Sequence, residues 1–541
     1  MSEQFIKQVE KLTSIGISLS KERNLDVLLE KILIGAKDIT HADGGTLYLV
    51  KNKQLEFEII RTDSLGFAMG GTTNNDVTLP SVSLYDKSGQ ANLKNISAYA
   101  AITGSTVNLA DAYDGKNFDF EGVKAFDKRN NYRSKSFLTV PMKNYEDETI
   151  GVLQLINSID QQNGELSSFS LDDQKLAESL ASQAAIAISN YQLINDLRHL
   201  LEKFIEIIAN AIDDKSPYTG GHCRRVPEIA MLMAKGLNKT KTGPLKDIFF
   251  DEQDLYELHI AALLHDCGKI TTPVHIVDKA TKLETIFDRI AIIEERIEIL
   301  KKDKEIEFLK NQLKNANKAQ SEIDRKTYET FIAQLDDDFL FLQTCNKGSE
   351  YMGEDKVTRI KEIATYRWQD SQGNTKTLLN DEELDNLCIP KGTLTNEERV
   401  TVNHHIVMTQ RMLEALPFPK HLKNVPEIAG NHHERMDGKG YPNGIMGAEL
   451  SVGARLMCIA DVFEALTAAD RPYKKGMNLS MALRILGSMK EESHIDPDIF
   501  DVFISEKIYL QYAEDFMDAE QIDELDLTKL PGYNNVNISS N

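Results

Sequence analysis

Residues 432–442 read His432-His433-Glu434-Arg435-Met436-Asp437-Gly438-Lys439-Gly440-Tyr441-Pro442. Two adjacent imidazoles and a carboxylate before a glycine-punctuated turn make a poor core helix. They suit metal ligands at a helix end, followed by a loop whose backbone a ligand can approach closely. A second stretch of this character lies upstream, where the apolar run Ile260-Ala261-Ala262-Leu263-Leu264 ends in His265-Asp266-Cys267-Gly268-Lys269. Neighbours at a helix end point about 100° apart, so one of His265 and Asp266 can ligate a single metal while the other bridges two. A buried His–Asp pair can also be a structural hydrogen bond, although burying Asp266 without a cation is costly.

Three further blocks carry ligand-type residues. Ser216-Pro217-Tyr218-Thr219-Gly220-Gly221-His222 opens a helix through Val226 and Ala230; a lone histidine at such a place is more often structural. Asn403-His404-His405-Ile406-Val407-Met408-Thr409 holds two imidazoles that cannot face the same way. Ile459-Ala460-Asp461-Val462-Phe463-Glu464-Ala465-Leu466 sets one carboxylate inside an apolar helix, where a buried aspartate wants a metal. Two-metal phosphodiester hydrolysis uses this inventory. Two cations about 3.5–4 Å apart deprotonate water and clamp the phosphoryl oxygens, and they need a bridging carboxylate with imidazoles to complete each shell. Arg471 and Lys474, in Asp470-Arg471-Pro472-Tyr473-Lys474-Lys475, are suited to gripping phosphates. Alone this is an ordinary surface turn; its place ten residues after Asp461 gives it weight.

The five blocks, in this order, resemble the HD-GYP phosphodiesterases, named for a His-Asp pair and a Gly-Tyr-Pro triplet, here His265-Asp266 and Gly440-Tyr441-Pro442. The resemblance covers about residues 200–275 and 396–510, which it implies form an all-α catalytic domain. It implies the metal ligands His222, His265, Asp266, His405, His432, His433 and Asp461. Asp266 would bridge, with His222, His265 and Asp461 around one ion and His405, His432 and His433 around the other. His405 is preferred to His404 because Thr409, Met412 and Leu413 match the family's spacing after its ligand histidine. Some members hold a third metal through a glutamate four residues before the first ligand histidine. Tyr218 stands there, so a binuclear divalent site is expected, with iron or manganese suited to its thiolate-free shell. Lys269 falls on the family's motif lysine. With Asp266 it is an expected catalytic residue, stabilising phosphate charge or aiding protonation of the leaving oxygen. Gly438, Gly440, Tyr441 and Pro442 should form a loop against the substrate, and His494-Ile495-Asp496-Pro497 is read as structural. The implied function is hydrolysis of cyclic di-GMP to pGpG and/or GMP by a metal-bridging hydroxide. The alternatives are a cyclic GMP-AMP phosphodiesterase and a non-catalytic cyclic-dinucleotide-binding signalling module; the complete ligand set argues against the last.

The elements that carry these blocks predict an α+β multidomain chain. An N-terminal helix is expected over 1–19. Residues 20–190 resemble a GAF domain, an α/β sensor module with an antiparallel sheet and helices. The resemblance rests on Ala42-Asp43-Gly44-Gly45 as a turn into the strand Thr46–Val50, a strand Leu55–Ile60, and a closing hairpin of 137–142 and 150–157. Residues 64–125 should line any pocket; no haem, bilin or cyclic-nucleotide signature stands there, and a ligand-binding and an empty domain both fit. A linker helix over 172–212 overlaps the exit of this domain. Its apolar row Ala177, Leu180, Ala184, Ala187, Tyr191, Ile194, Arg198, Leu201, Ile205, Ile208, Ile212 runs for about five heptads. It suits a parallel coiled coil with a second subunit, or packing against its own domains. A helical insertion with a loop-rich end is expected over 276–395, with Ile286, Ile290, Ile293, Ile297 and Leu300 in heptad spacing and a turn at Asp370–Asn374. A C-terminal tail over 511–541 is expected to be disordered after about Leu530.

Composition bounds the rest. A chain of 541 residues suggests two to four domains, and a net charge of −22 argues against binding nucleic acid polymers. Of twelve histidines only His41 and His199 lie outside 222–494, which assigns metal chemistry to the C-terminal half. Five cysteines without C-x-x-C spacing suggest no disulfide framework. With no apolar run of the roughly 18 residues a membrane span needs, the protein is expected in the cytoplasm.

Overall fold

Strand periodicity builds the first half of the molecule. The structure is a computed structural model and describes residues 3–114, 117–215, 221–314, 318–348, 351–469 and 476–533. Tyr218, Arg471, Lys474 and the last eight residues of the expected tail lie outside the described residues. Contacts divide the chain into a unit ending at Leu201 and one starting at Glu202.

The first unit begins with helices α1 (Glu3–Lys21) and α2 (Leu25–Thr40), the latter capped by the Asn24 side chain on the Val27 amide. Strands β1 (Ala42–Lys51), β2 (Gln54–Thr62), β3 (Phe67–Gly70) and β4 (Val82–Ser83) follow. Then come α3 (Ile96–Thr103), β5 (Val107–Leu109), α4 (Glu121–Asn130), β6 (Phe137–Lys143), β7 (Thr149–Ile159) and β8 (Leu166–Ser167). The strands form one antiparallel sheet in the order β3-β2-β1-β7-β6-β5, with β4 beside β2 and β8 beside β7. Leu47, Leu49, Leu138, Val140, Leu153 and Leu155 alternate onto one face and pack with α1, α2 and the start of helix α5 (Leu171–Asp213). On the other face, under α3, Gln154 donates to Ser97 Oγ (3.1 Å) and Thr139 Oγ1 (3.2 Å) and accepts from the Tyr48 hydroxyl (3.3 Å). Tyr48, Leu84, Ala98 and Val152 are buried on that face. Ala42–Gly45, expected as a turn, belongs to β1: a Cβ on Gly45 would stand 2.8 Å from Leu33 Cδ1. The glycine there permits helix and strand to approach, and no bend is made.

Helix α5 corrects the expected seam. Ala177, Leu180 and Ala184 are buried in the sheet unit, and Ile205 and Ile212 in the second unit's core. In its middle the expected row is exposed at Ile194 and Leu201, and a second row one residue earlier, Ile186, Asn190, Leu193, Leu197, Leu200, Phe204, Ile207 and Ala211, is exposed along its whole length. It keeps alternate steps of four and three throughout.

The second unit continues with α6 (His222–Leu237), α7 (Glu252–Leu264), a 3-10 turn over Cys267–Thr271 and α8 (Val274–Val277). Then come α9 (Ile290–Lys314), α10 (Lys318–Asn346), α11 (Glu354–Ala364), a hairpin of β9 (Arg367–Gln369) and β10 (Thr375–Thr377), and α12 (Asp381–Leu387). The chain closes with α13 (Asn396–Glu414), α14 (Val425–Gly430), α15 (Val452–Thr467), α16 (Leu479–Glu491), α17 (Pro497–Ser505) and α18 (Ile508–Phe516). Helices α6, α7 and α13–α18 share one core, from Val226 and Leu258 to Ile459, Phe463 and Phe503. Residues expected as a tail join it: Tyr512, Ala513 and Leu530 are buried there, so the chain is folded to Tyr533.

The insertion has a separate core of Ile293, Ile297, Leu300, Leu335, Leu342, Ile360, Leu378 and Leu387. Its end, expected to be loop-rich, is folded as α11, the hairpin and α12. Ile286 lies before α9 and is 94% exposed, outside the expected heptad. Fully buried Lys282 spends its ammonium on the carbonyls of Leu387 and Ile389, joining the insertion's start to its end.

Candidate metal centre

Five segments converge at the end of α7. His265 closes that helix and is fully buried; Asp266 follows, and the 3-10 turn begins at Cys267. Gly268 lets α13 lie directly on this turn, since a Cβ there would fall 1.9 Å from the His405 carbonyl. Thr409 stitches the two together, accepting from the Gly268 amide (2.9 Å) and donating to the His265 carbonyl (3.2 Å). The result sets His405 beside Asp266. His222 stands at the start of α6, His432 and His433 just beyond α14, and Asp461 inside α15.

The imidazoles are held in one orientation. Nδ1 of His265, His405 and His432 lies 2.7, 2.5 and 2.6 Å from the carbonyls of Ala262, Val402 and Ala429, each three residues back. These bonds orient Nδ1 of each ring towards the backbone and turn Nε2 inward, where it can ligate once any proton on it has left. Nε2 of His222 lies 3.2 Å from Asp266 Oδ2 and 3.3 Å from Asp461 Oδ1. Nε2 of His265 is 3.3 and 3.7 Å from the same two atoms. The other oxygen of Asp266, Oδ1, turns to His405 Nε2 at 3.4 Å. His222, His265 and Asp266 thus form one group of donor atoms and His405, His432 and His433 a second, each within 4.8 Å.

The donor set fits divalent cations. Asp266 Oδ1, His405 Nε2 and His432 Nε2 are buried with no hydrogen-bond partner among the described residues. The first two are facing lone pairs, an arrangement that a cation between them satisfies. Charge also differs between the groups. Burial opposes a proton on His222, yet Glu464, Asp266 and Asp461 hold its pKa well above the ordinary value. For His265, burial is outweighed mainly by Asp266, which raises it to about 9. Burial instead brings His433 down to about 4, and presses His432 well below its ordinary value with help from His433 and His265. Burial would raise Asp266, but Lys269 and His265 keep it well below the usual carboxylate range. Lys269 Nζ sits 2.5 Å from Asp266 Oδ2, with its pKa raised despite burial, chiefly by Asp266.

The Gly-Tyr-Pro loop lies against the second group. Tyr441 stacks on His433, ring centroids 4.8 Å apart. Gly440 is needed by the chain itself, because a Cβ there would lie 2.4 Å from Glu434 Cα. Gly438 takes a left-handed φ of 71° at the turn. Pro442 follows the stacked ring, half-buried, and His404 points outward, exposed. His494 serves the loop through its backbone, its carbonyl accepting from Met436.

Two carboxylates at the site escape a reading by ligand spacing. Glu464, one helical turn after Asp461, is buried; Oε2 meets His222 Nδ1 at 2.5 Å and Oε1 accepts from Arg225 Nε at 2.7 Å. Helix α15 therefore carries two inward carboxylates where one was expected, and the three-residue interval was the available signal. Buried Glu434 accepts the amides of Asn443 (2.7 Å), Gly444 (3.1 Å) and Ile445 (3.0 Å), folding the loop around itself.

Comparison with known proteins agrees with this architecture. Residues 24–188 match the GAF domain family, and HD domain families match 219–336 and 381–499. The 3'3'-cGAMP-specific phosphodiesterase 1 of Vibrio cholerae is 38% identical over 113 residues, 21% of this chain and 25% of its own. A cyclic di-GMP phosphodiesterase of Pseudomonas aeruginosa is 38% identical over 113 residues, 21% of this chain and 26% of its own. One from Thermotoga maritima is 28% identical over 196 residues, 33% of this chain and 52% of its own. The chain thus spans a quarter to a half of the length of these curated relatives. It joins a GAF domain to an HD domain, consistent with an HD-GYP protein carrying a GAF domain.

Proposed function

We propose that the chain is a metal-dependent phosphodiesterase that hydrolyses a cyclic dinucleotide, cyclic di-GMP first, to pGpG or GMP. The observation that carries this reading is Asp266, whose two oxygens face two separate groups of imidazoles at 3.2–3.4 Å. A pair of divalent cations, iron or manganese, would be held by His222, His265 and Asp461 on one side and His405, His432 and His433 on the other, with Asp266 shared. Such a pair supplies a nucleophile from water at neutral pH and neutralises charge on the phosphoryl oxygens.

The protein's own groups do the rest. The backbone carbonyls behind His265, His405 and His432 fix the direction of the inward Nε2 atoms before any ligand arrives. Lys269, kept protonated by Asp266, is placed to stabilise phosphate charge or pass a proton to the leaving oxygen. Tyr441 offers a ring at the mouth of the second group, with Gly438, Gly440 and Pro442 shaping the loop, and Arg471 and Lys474 are the proposed phosphate grips. A cyclic GMP-AMP substrate is the second reading, favoured by the cGAMP-specific relative. A silent binding module fits poorly with a full set of inward donor atoms.

Metal analysis of the purified protein, then chromatography of products from both cyclic dinucleotides, tests this. His265→Ala and Asp266→Ala should each abolish turnover with the helical circular dichroism retained. Activity surviving in either would overturn the assignment. The GAF domain is proposed to regulate the enzyme, and the exposed row on α5 to pair with a second copy of the chain. The five free cysteines suit the cytoplasm.

A further inference from the structure

The last residues of α5 reach the candidate metal centre, and they touch one half of it. Asp213 is buried, and its carboxylate accepts the amide of Gly221 (3.0 Å, Oδ2) and that of Cys223 (3.2 Å, Oδ1). Those amides flank His222, so one carboxylate sets the first turn of α6 and the direction of its histidine. Two residues on, Lys215 Nζ donates to the carbonyls of Lys269 (2.8 Å), Ile270 (2.6 Å) and Thr272 (2.6 Å). An ammonium has three protons, and all three are used on the open end of the 3-10 turn that follows His265-Asp266 and carries Lys269. Asn210 adds a third tie, accepting from Arg224 at 2.9 Å.

We infer that Asp213 and Lys215 are positioning residues that tie the end of α5 to the turns bearing His222 and Lys269, and so act first on the His222/His265/Asp266 group of the centre. This rests on the metal-site reading above. A displacement of the helix end would shift the turn of His222 and the turn of Lys269 together, loosening the cation beside His222 first and the other only through the shared Asp266.

The test uses the full-length protein stripped with chelator and titrated with Mn2+ by calorimetry. The variants are Asp213→Asn, Lys215→Met, Lys215→Arg and, as reference, His222→Ala. Wild type should bind two ions per chain. Asp213→Asn and Lys215→Met should each weaken one ion by at least tenfold and the other by less. Lys215→Arg, whose guanidinium can still donate to several carbonyls, should recover much of the loss. Equal weakening of both ions, or unchanged binding of both in Asp213→Asn and Lys215→Met, overturns the coupling. If Lys215→Met fails to fold, the near-isosteric Asp213→Asn decides. If His222→Ala also binds as wild type does, the metal-site reading has failed, and the coupling with it.

Discussion

At the scale of single residues, the centre is set by what stands behind each ligand. Three histidines lean on helix carbonyls that mutation of side chains cannot remove, whereas His222 leans on Glu464, itself held by Arg225. Glu464→Gln keeps the shape but removes the charge that favours the Nδ1 proton. Loss of such a partner commonly costs about 10–100-fold in metal affinity. One of two Mn2+ sites should weaken by that order, with the thermal midpoint of the metal-free protein little changed; unaltered Mn2+ titration would remove Glu464 from the site. The seven ligand-type residues were legible as a set through the resemblance of five ordered blocks to the HD-GYP pattern; residue type alone left His222 reading as structural. Glu464 was not, since a glutamate in a helix reads as solvated until its neighbours are placed. Gly440 was legible as a special position, and the structure adds a cause the sequence did not offer: its lack of a Cβ also makes room for the backbone of Glu434.

At the scale of elements, α5 shows where periodicity runs out. Two apolar rows, one residue apart, both satisfy a three-four spacing, and spacing alone cannot say which is already used. The row ending in Ile205, Ile208 and Ile212 was the more continuous because it is core at both ends. The exposed row carries six large apolar side chains, among them Leu197 (63% exposed), Leu200 (66%) and Phe204 (60%). It also carries one polar residue, Asn190, at a position where asparagine sets register and a two-stranded state. Six per helix makes twelve in a pair. At roughly 1.5–3 kcal/mol per fully buried side chain, such a pair can offset an association cost of about 4–15 kcal/mol. The wild type should therefore sediment as a dimer and the double variant Leu197→Glu, Leu200→Glu as a monomer, with the thermal midpoint of the GAF unit preserved. A wild-type monomer at micromolar concentration, or a dimer that survives both glutamates, would exclude this face. The insertion's helices were legible for the same reason as α5, and its short hairpin was not, because strands of three residues carry too little pattern.

At the scale of the whole molecule, the site makes stability depend on pH in a way that metal should reverse. Without metal, His265 binds its proton up to about pH 9 in the folded chain, against 6.5 when unfolded. A raised pKa contributes stability that is complete below 6.5 and disappears as pH climbs through 9; His222, shifted the same way, adds to it. His433 works in the opposite sense. With a folded pKa of about 4 against 6.5 unfolded, its contribution is intact above 6.5 and fades as pH falls towards 4. The chelator-stripped protein should therefore melt highest near pH 6.5 and lower on either side. Divalent cations compete with the protons of His222 and His265, so their binding strengthens as those protons leave. Mn2+ should raise the melting temperature more at pH 8 than at pH 6.5 and flatten the alkaline fall, as differential scanning calorimetry of matched stripped and loaded samples would read directly. A stripped protein whose midpoint climbs steadily between pH 6.5 and 9 would mean that these two imidazoles do not carry protons in the folded chain. The enclosure of His222 and His265 by Asp266, Asp461 and Glu464 would then need another explanation.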